Sequence, residues 1–459
     1  MYQLDFKKPT SIHFIGIGGI SMSGLAQILL KEGFQVSGSD SHESPLTTEL
    51  KHLGATIYYG QRRQNITDNI SVVVYTAAVK KDNPELDEAI KRNIPILTRA
   101  ELLGQFVHNY KNAINIAGTH GKTTTTSMVA EILLQTDLDP TISVGGILPS
   151  IGGNIRVGAS DVFVTEACEY TNSFLSFFPT IEVILNIDAD HLDFFKDLDE
   201  IYDSFHMFGK KLPEYGTLII NSDITNSHKV TDGLDCNIVT FGSKGDETYV
   251  ASNITYDDMG YPSYTLSKNG TIIGTIKLQV PGAHNVSNSL AAAALALELN
   301  IDFSSIQKGL SDFNGTNRRF QKKGEIGGVT IIDDYAHHPS EIKATLTAAK
   351  NYPHKNIICV FQPHTYTRTK AFLNEFATSL ALADMVVLAD IYPARETDTL
   401  GMSSQLLQEK IQNLGTKAYY FPTFDEIENF LLENCINGDL LITMGAGDIV
   451  KIGESLLGE

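Results

Sequence analysis

Short apolar runs alternate with longer stretches of helical period along most of the chain. Residues 11–15 form an apolar run of strand length. It meets Gly16-Ile17-Gly18-Gly19, and from 21 to 32 apolar residues recur at helical spacing until Gly33. Further strand-like runs follow at 34–38, 56–59, 71–75 and 94–97, with helical stretches between them. This rhythm predicts a doubly wound α/β unit with a parallel sheet.

The rhythm then restarts twice. A strand at 112–117, a loop at 118–122 and a helix at 123–135 open a second unit, with later strands at 161–165 and 181–186. Between about 217 and 280 short alternating segments dominate, including 263–266 and 271–278 around an Asn269-Gly270 hairpin turn. They predict a small β-rich sheet inside or beside this unit. An Ala-rich helix at 287–299 closes it. A third unit carries strands at 329–333, 357–361, 385–389 and 440–443, with helices in the intervals. The expected domains are therefore 1–110, 111–317 and 318–459: a Rossmann-like unit, a P-loop-like unit and a second Rossmann-like α/β unit. The length of 459 residues agrees, at roughly 150 residues per domain. Short linkers predict that the units pack together and form clefts.

Composition narrows the function classes. Hydrophobic residues make up 42% and charged residues 19%, a globular balance. A net charge of −19 would be repelled by a phosphate backbone, so nucleic acid is not an expected partner. Cys168, Cys236, Cys359 and Cys435 are scattered, with no C-x-x-C pair. That argues against a disulfide frame or a zinc site and for a reducing compartment. The start Met1-Tyr2-Gln3-Leu4-Asp5 lacks the basic residues and apolar core of a signal peptide. No apolar run approaches the roughly 18 residues of a membrane span. The expectation is a soluble cytoplasmic protein with no membrane partner.

The strongest chemical signal is Ala117-Gly118-Thr119-His120-Gly121-Lys122-Thr123-Thr124, between a strand and a helix. Glycines there let backbone N–H groups face phosphates, and the helix start adds partial positive charge. Lys122 can reach the outer phosphates and the Thr123 hydroxyl can ligate Mg²⁺. Ile116 stands where the generic motif has its first glycine. The Gly16-x-Gly18-Gly19 turn is less specific. It resembles a dinucleotide fingerprint with Ser21 at the third glycine position and Asp40 about 20 residues on, where a ribose-binding acid would sit. It fits a nicotinamide dinucleotide, the pyrophosphate of a UDP-sugar, or a tight turn with no ligand.

Polar groups gather where other strands end. Glu166 ends an apolar strand, and a carboxylate there can ligate Mg²⁺ beside a phosphate loop. Asn186-Ile187-Asp188-Ala189-Asp190-His191-Leu192-Asp193 follows the next strand. His191 alone would read as a loop histidine; its place beside the other strand end favours a site. His284, Asn285 and Asn288 precede or open the Ala-rich helix, where Asn285 or Ser287 is also expected to N-cap. Arg318-Arg319 at the start of the third unit can clamp a transferring phosphoryl group. Asp333-Asp334-Tyr335-Ala336-His337-His338-Pro339 and Gln362-Pro363-His364-Thr365-Tyr366-Thr367-Arg368 both follow strands of that unit.

Taken in order, these motifs resemble the Mur ligases over nearly the whole chain. The family pattern implies a UDP-substrate domain, a central ATPase and a C-terminal domain that helps bind ATP and the incoming amino acid. The His13–Ile20 start (His13-Phe14-Ile15-Gly16-Ile17-Gly18-Gly19-Ile20), the Gly-Thr-His form of the phosphate loop and Phe361-Gln362-Pro363-His364 are most similar to members that add L-alanine to UDP-N-acetylmuramate. The implied reaction is ATP-dependent amide formation through an acyl phosphate, in peptidoglycan precursor synthesis, with ATP and Mg²⁺ required. A recycling ligase that attaches a tripeptide to the same UDP-sugar is the nearest alternative within the family. An NAD-dependent oxidoreductase is the alternative from another class, and it leaves the 118–124 loop unexplained.

The resemblance implies catalytic roles for Lys122, His191, Arg319 and His337. It implies nucleotide contacts for Gly118, Thr119, His120, Gly121, Lys122, Thr123 and Thr124, and for His284, Asn285, Asn288, Arg319 and Asp334. Metal ligands would be Thr123 and Glu166, with His191 at a second metal. Gly16, Gly18, Gly19 and Asp40 would serve the UDP-sugar, and Tyr335, His364 and Arg368 the amino acid. Two departures stand out: Cys168 and Tyr170 occupy positions where many relatives carry acidic and polar residues. No carbamylated lysine is assigned, because the 202–210 segment offers no clear position for one. Monomer and homodimer are both compatible with this reading.

Overall fold

The computed structural model describes residues 2–459 apart from Ala77, Ala78, Lys81, Asp193, Arg395 and Thr399. Asp193, part of the strand-end segment named above, thus lies outside the described residues. Among the described residues three sheets form. The first runs Thr56–Tyr59, Gln35–Asp40, Ser11–Ile15, Val72–Tyr75, Ile96–Thr98, all parallel. Strand order reverses beside Ser11–Ile15, so the crevice of this sheet opens at the Gly16 turn.

The ten-stranded second sheet has Asn112–Ala117 near its middle, between Ile181–Ile184 and Val162–Ala167, both parallel to it. This placement brings three strand ends to one edge. Ile116 pairs with Glu166 and Ala117 with Ile184, so the phosphate loop emerges between Glu166 and the 185–192 segment. The alternating region seen at 217–280 lies at the far edge. There Tyr249–Tyr256, Pro262–Lys268 and Thr271–Lys277 form an antiparallel meander, joined to the parallel strands through only two registered pairs, Phe241–Tyr249 and Gly242–Val250. In the third sheet Val329–Asp334, Leu440–Met444 and Ile357–Phe361 are adjacent and parallel. Asp334, Met444 and Phe361 lie in register, so the two histidine-bearing loops leave side by side.

Some strands escaped the pattern reading. Gln321–Ile326, Lys417–Tyr420 and Gly153–Arg156 are edge strands, and Thr141–Leu148 pairs between Gly153–Arg156 and Val162–Ala167. An edge strand is paired on one side and half wet, so it needs no apolar run. The Ala-rich helix also starts earlier than expected, spanning Ala283–Glu298. Its N-cap is Gly282, and neither Asn285 nor Ser287 caps it. Asn285 instead turns back and donates to the carbonyl of Pro281 at 2.7 Å.

The units meet in two different ways. Leu102 and Phe106, from the helix Arg99–Val107, join Phe163, Phe174 and Phe177 in one buried apolar cluster. The first unit is thus packed on the second as a core is packed. The second and third units meet mainly through polar contacts, Asp190 with Arg368, His120 with Glu341 and His338 with the carbonyl of Ala189, with Met259 packed against the apolar cluster of the third unit.

Candidate active site

The loop between Asn112–Ala117 and the helix Lys122–Leu133 is shaped for an anion. Gly121 is the N-cap with φ +85°, and a Cβ there would lie 2.6 Å from Asn288 Oδ1. Only glycine fits both conditions. The first N–H groups of the helix face outward as an α-helix leaves them, free of intrahelical partners. Asn186 holds the loop from behind: it accepts the His120 N–H at 2.8 Å and donates to the His120 carbonyl at 2.9 Å.

Lys122 is not extended into solvent. Its ammonium donates to the carbonyls of Gly118 and Thr119 and lies 3.0 Å from Glu169 Oε2. Glu169 is only 2% exposed. Burial works against the lysine charge, but Glu169 outweighs it and holds the group above its usual pKa. The lysine is therefore charged and positioned at any physiological pH. Thr123 Oγ1 donates to Glu166 Oε2 at 3.0 Å, and Gly145 N donates to the other Glu166 oxygen. A Cβ at Gly145 would sit 2.8 Å from both carboxylate oxygens, so glycine leaves room for Glu166 to face the loop.

The paired arginines divide their work. Arg318 is structural: it binds Asp333 at 2.9 Å and the carbonyls of Gly445 and Gly447 at 2.7 and 3.1 Å. Charge-assisted bonds of this kind contribute about 1.5–3 kcal/mol each. Both arginines lie over the Tyr335 ring, 5.0 and 5.1 Å from its centroid, and both border the cleft with Lys122, Thr123 and Glu166; Arg319 also borders the cavity of His284, Asn288 and Asp334. Asp334 accepts the N–H groups of Phe320 and Ala336 at 2.8 Å. Burial raises its carboxyl to about 6, against the pull of Arg319.

Three cavities connect at this point. One of about 280 Å³ lies between the second and third units, bounded by Asn186, His284, Asn288, Arg319 and Asp334. It shares His120, Gly121, Arg319 and Glu341 with the cleft over the phosphate loop, of about 550 Å³. That cleft in turn shares Asp190, His191 and His337 with a third cavity of about 390 Å³, where His364 and Arg368 lie. The residues expected to contact nucleotide and those expected to contact the amino acid thus occupy opposite ends of one channel. Tyr335 is the exception. It borders the phosphate cleft, one ring removed from His364 through His337.

Electrostatics set the protonation states. Burial pushes His337 down to about 4 despite nearby Glu341, so this imidazole is neutral. Burial also lowers His191, although Asp190 pulls the other way. His191 has a left-handed backbone, φ +54°, which turns its ring into the channel. Burial disfavours the Asp190 charge, but Arg368 at 3.0 Å holds the carboxyl well below the usual range. His120 Nε2 is 3.3 Å from Asp188 and Nδ1 is 3.2 Å from Glu341. Burial opposes its charge; the two carboxylates overcome that and push it up to about 9. Glu169 and Glu341 were not singled out in sequence as site residues, and Asn186, Asp188 and Asp190 entered only as part of a polar segment. For Asn186, Asp188 and Asp190 the available signal was their place just past a strand end.

The Gly16 turn is arranged otherwise. Asp40, at the end of its strand, accepts the Gly18 N–H at 2.7 Å. Gly19 is the N-cap of the helix Ile20–Lys31. Beside it Arg99 donates to Ser21 Oγ at 3.0 Å. Burial lowers the Arg99 pKa, and among the described residues no ion pair to it is recorded. Arg99 borders a cavity of about 260 Å³ that shares Ile20, Gly145 and Glu166 with the phosphate cleft. Pattern reading passed over it because its neighbours become visible only when two units are packed.

Comparison with known proteins agrees with this geometry. Family models match three successive stretches: the Mur ligase family catalytic domain over 11–111, the Mur ligase middle domain over 116–296, and the Mur ligase glutamate ligase domain over 318–447. The UDP-N-acetylmuramate–L-alanine ligase of Lachnospira eligens is 62% identical over 458 residues, covering 100% of both chains. The solved structure of UDP-N-acetylmuramate-alanine ligase from Thermotoga maritima matches with a TM-score of 0.82 at 31% identity over 98% of each chain. A murein peptide ligase from Psychrobacter arcticus shares the fold, with a TM-score of 0.72 at 24% identity over 98% of each chain.

Proposed function

The chain belongs to the Mur ligase family, and on that premise we propose that it joins L-alanine to the lactyl carboxylate of UDP-N-acetylmuramate. It is an ATP-dependent amide-bond-forming ligase. One observation carries the substrate reading. Lys122, Thr123, Glu166 and Arg319 border a single cleft, and that cleft opens into the cavity of Asp190, His364 and Arg368. A phosphoryl donor and an amine can meet there around one carboxylate.

The domain roles follow as residues 1–110 for the UDP-sugar, 111–317 for ATP and 318–459 for ATP and the amino acid. A carboxylate does not condense with an amine in neutral water, because oxide is a poor leaving group. Its attack on the γ-phosphorus of ATP breaks the bond to the bridging β–γ oxygen, releases ADP and makes an acyl phosphate, and phosphate then leaves when the neutral amine adds and the tetrahedral intermediate loses a proton and collapses. Lys122 and Arg319 supply positive charge where the transferring phosphoryl group accumulates negative charge. The helix Lys122–Leu133 offers N–H groups to the remaining phosphates. Asn186, His284, Asn288 and Asp334 border the nucleoside end. Neutral His337 lies between the phosphate cleft and the amine cavity, where it can accept a proton as the amine adds.

Mg²⁺ suits the donor set. Thr123 and Glu166 are hard oxygen donors aimed at one point beside the loop, and two such side chains leave positions for phosphate oxygens and water. Among the described residues no cluster of three or more His, Cys, Asp or Glu forms a closed metal cage. When bound, the ion would neutralise phosphate charge. His191 is a candidate ligand for a second ion.

On the UDP-sugar side, the start of the helix Ile20–Lys31 and the Arg99 guanidinium face the space leading to Glu166. They supply the positive partners that a diphosphate needs. The four cysteines are unpaired, which fits a reducing cytoplasm. Among the described residues no helix is long and apolar enough to cross a membrane.

The test is phosphate release from ATP with Mg²⁺ and UDP-N-acetylmuramate, comparing L-alanine with the tripeptide L-alanyl-γ-D-glutamyl-meso-diaminopimelate. Release and a ligated product with L-alanine are expected. Activity with the tripeptide alone would move the chain to the recycling reaction, and activity with neither would refute the acceptor assignment.

A further inference from the structure

Between Glu166 and the first strand that follows it, the chain makes a sharp turn that the mechanism above uses only at Glu169. Thr171 and Asn172 are consecutive non-glycine residues with left-handed backbones, φ +55° and +57°. Such a turn persists only where its surroundings hold it. Here Asn172 N donates to the Glu169 carbonyl at 2.8 Å, and Phe174 N donates to the Cys168 carbonyl at 3.1 Å. Ser204 Oγ donates to Asn172 Oδ1 at 2.5 Å, and buried Phe174 stacks on Phe208 with centroids 4.3 Å apart. The turn sends neighbouring side chains opposite ways. Glu169 goes inward to Lys122, while Tyr170 goes outward to the amine cavity.

Tyr170 is fixed there by its contacts. Its ring lies on that of His191, with centroids 4.5 Å apart and planes 30° apart, and meets Phe194 edge-on at 6.1 Å. The cavity it faces is lined by both polar and apolar side chains. Asp190 and Arg368 offer one carboxylate and one guanidinium, the complement of an amino acid's amine and carboxylate. The acceptor's side chain is then left to the apolar wall. From the third unit that wall carries Ala371 and Phe372; from the second it carries Leu192 and Tyr170. Tyr170 is the largest of these four, and its ring is braced by the His191 and Phe194 rings beside the left-handed turn at Thr171 and Asn172.

We propose that Tyr170 is a specificity-determining residue whose ring closes the wall of the acceptor cavity and restricts the amine substrate to one with a small side chain. This rests on the ligase reading given above. It locates the choice of amine in a residue of the ATP-binding unit, on the same turn as the counter-ion of Lys122.

The experiment measures kcat/KM for L-alanine, L-serine, L-valine and L-leucine with ATP and UDP-N-acetylmuramate, in the full-length wild type, Tyr170→Ala, Tyr170→Leu and Tyr170→Phe. Tyr170→Ala is expected to raise the valine-to-alanine and leucine-to-alanine ratios about tenfold or more, the scale of a methylene-sized change in a pocket. Tyr170→Leu should give a smaller rise, and Tyr170→Phe should keep the wild-type ratios because it keeps the ring. If Tyr170→Ala does not fold, the Tyr170→Leu and Tyr170→Phe pair carries the same comparison. Unchanged ratios in an enzyme whose wild type uses L-alanine would overturn this proposal alone. A wild type that does not turn over L-alanine would overturn the ligase reading beneath it, and this proposal with it.

Discussion

Two glycine-rich turns in this chain join a parallel strand to a helix, and they differ in what stands around them. At 118–124 the turn is surrounded by committed side chains. Lys122 is held by Glu169, Thr123 by Glu166, and His120 by Asp188 and Glu341. At 16–19 the turn carries no charge of its own, and Asp40 takes the Gly18 N–H. Its nearest cation, Arg99, comes from a distant helix. Backbone geometry makes both turns able to meet phosphate. On the proposed mechanism, side chains let one also hold a phosphoryl group during transfer, while the other only binds.

The largest expected effect therefore comes from the first turn. Lys122→Ala should lower kcat by about 10²–10³, roughly 3–4 kcal/mol of lost transition-state stabilisation. UDP-sugar affinity should change little, because the binding turn is in another unit. Phosphate-release kinetics with a thermal melt as the folding control would decide; turnover within tenfold of wild type in a folded sample would erase the distinction between the turns. An intermediate effect is expected from the second turn. Asp40→Ala removes a charge-assisted bond that shapes it, about 1.5–3 kcal/mol. The KM for UDP-N-acetylmuramate should rise roughly ten- to a hundredfold, with the KM for ATP unmoved. A matching change in the ATP constant would mean that the turns act as one.

The smallest effect is on pH. His120 in the first turn has no titrating counterpart in the second. Its pKa is pushed up to about 9 from 6.5, so the protonated form favours the folded contact between units. That contribution is complete below about pH 6.5 and is lost as pH rises through about 9. Scattering from the nucleotide-free protein should show the second and third units separating between pH 8 and 10. In His120→Gln that transition should be absent. A wild-type profile flat across this range would count against the histidine as a link between units.

Much of this arrangement was legible in order along the chain. The strands that carry the phosphate loop, Glu166, Asp334 and the His364 loop are fully buried, so their apolar runs stand out. The edge strands Gln321–Ile326 and Lys417–Tyr420 did not, because half-wet strands tolerate Gln, Lys and Glu. The Arg318-Arg319 pair shows the same limit at a single site. Its position at a junction was visible, but only the carbonyls of Gly445 and Gly447, far along the chain, show that Arg318 is committed as a brace at the cleft, while Arg319 borders both the cleft and the neighbouring cavity.

Sequence alone determined three α/β units, a phosphate loop with its lysine and hydroxyl, and the strand ends where ligands belong. These depend on local periodicity and on residue types that a short segment must have to form its own backbone. Tertiary structure decided the partners: Glu169 for Lys122, Arg368 for Asp190, Glu341 for His120, and Tyr170 against His191. Two of those pairs are more than a hundred residues apart and join different units. Charge and ring contacts act over a few ångströms of space, and no spacing along the chain encodes which strand ends will share an edge.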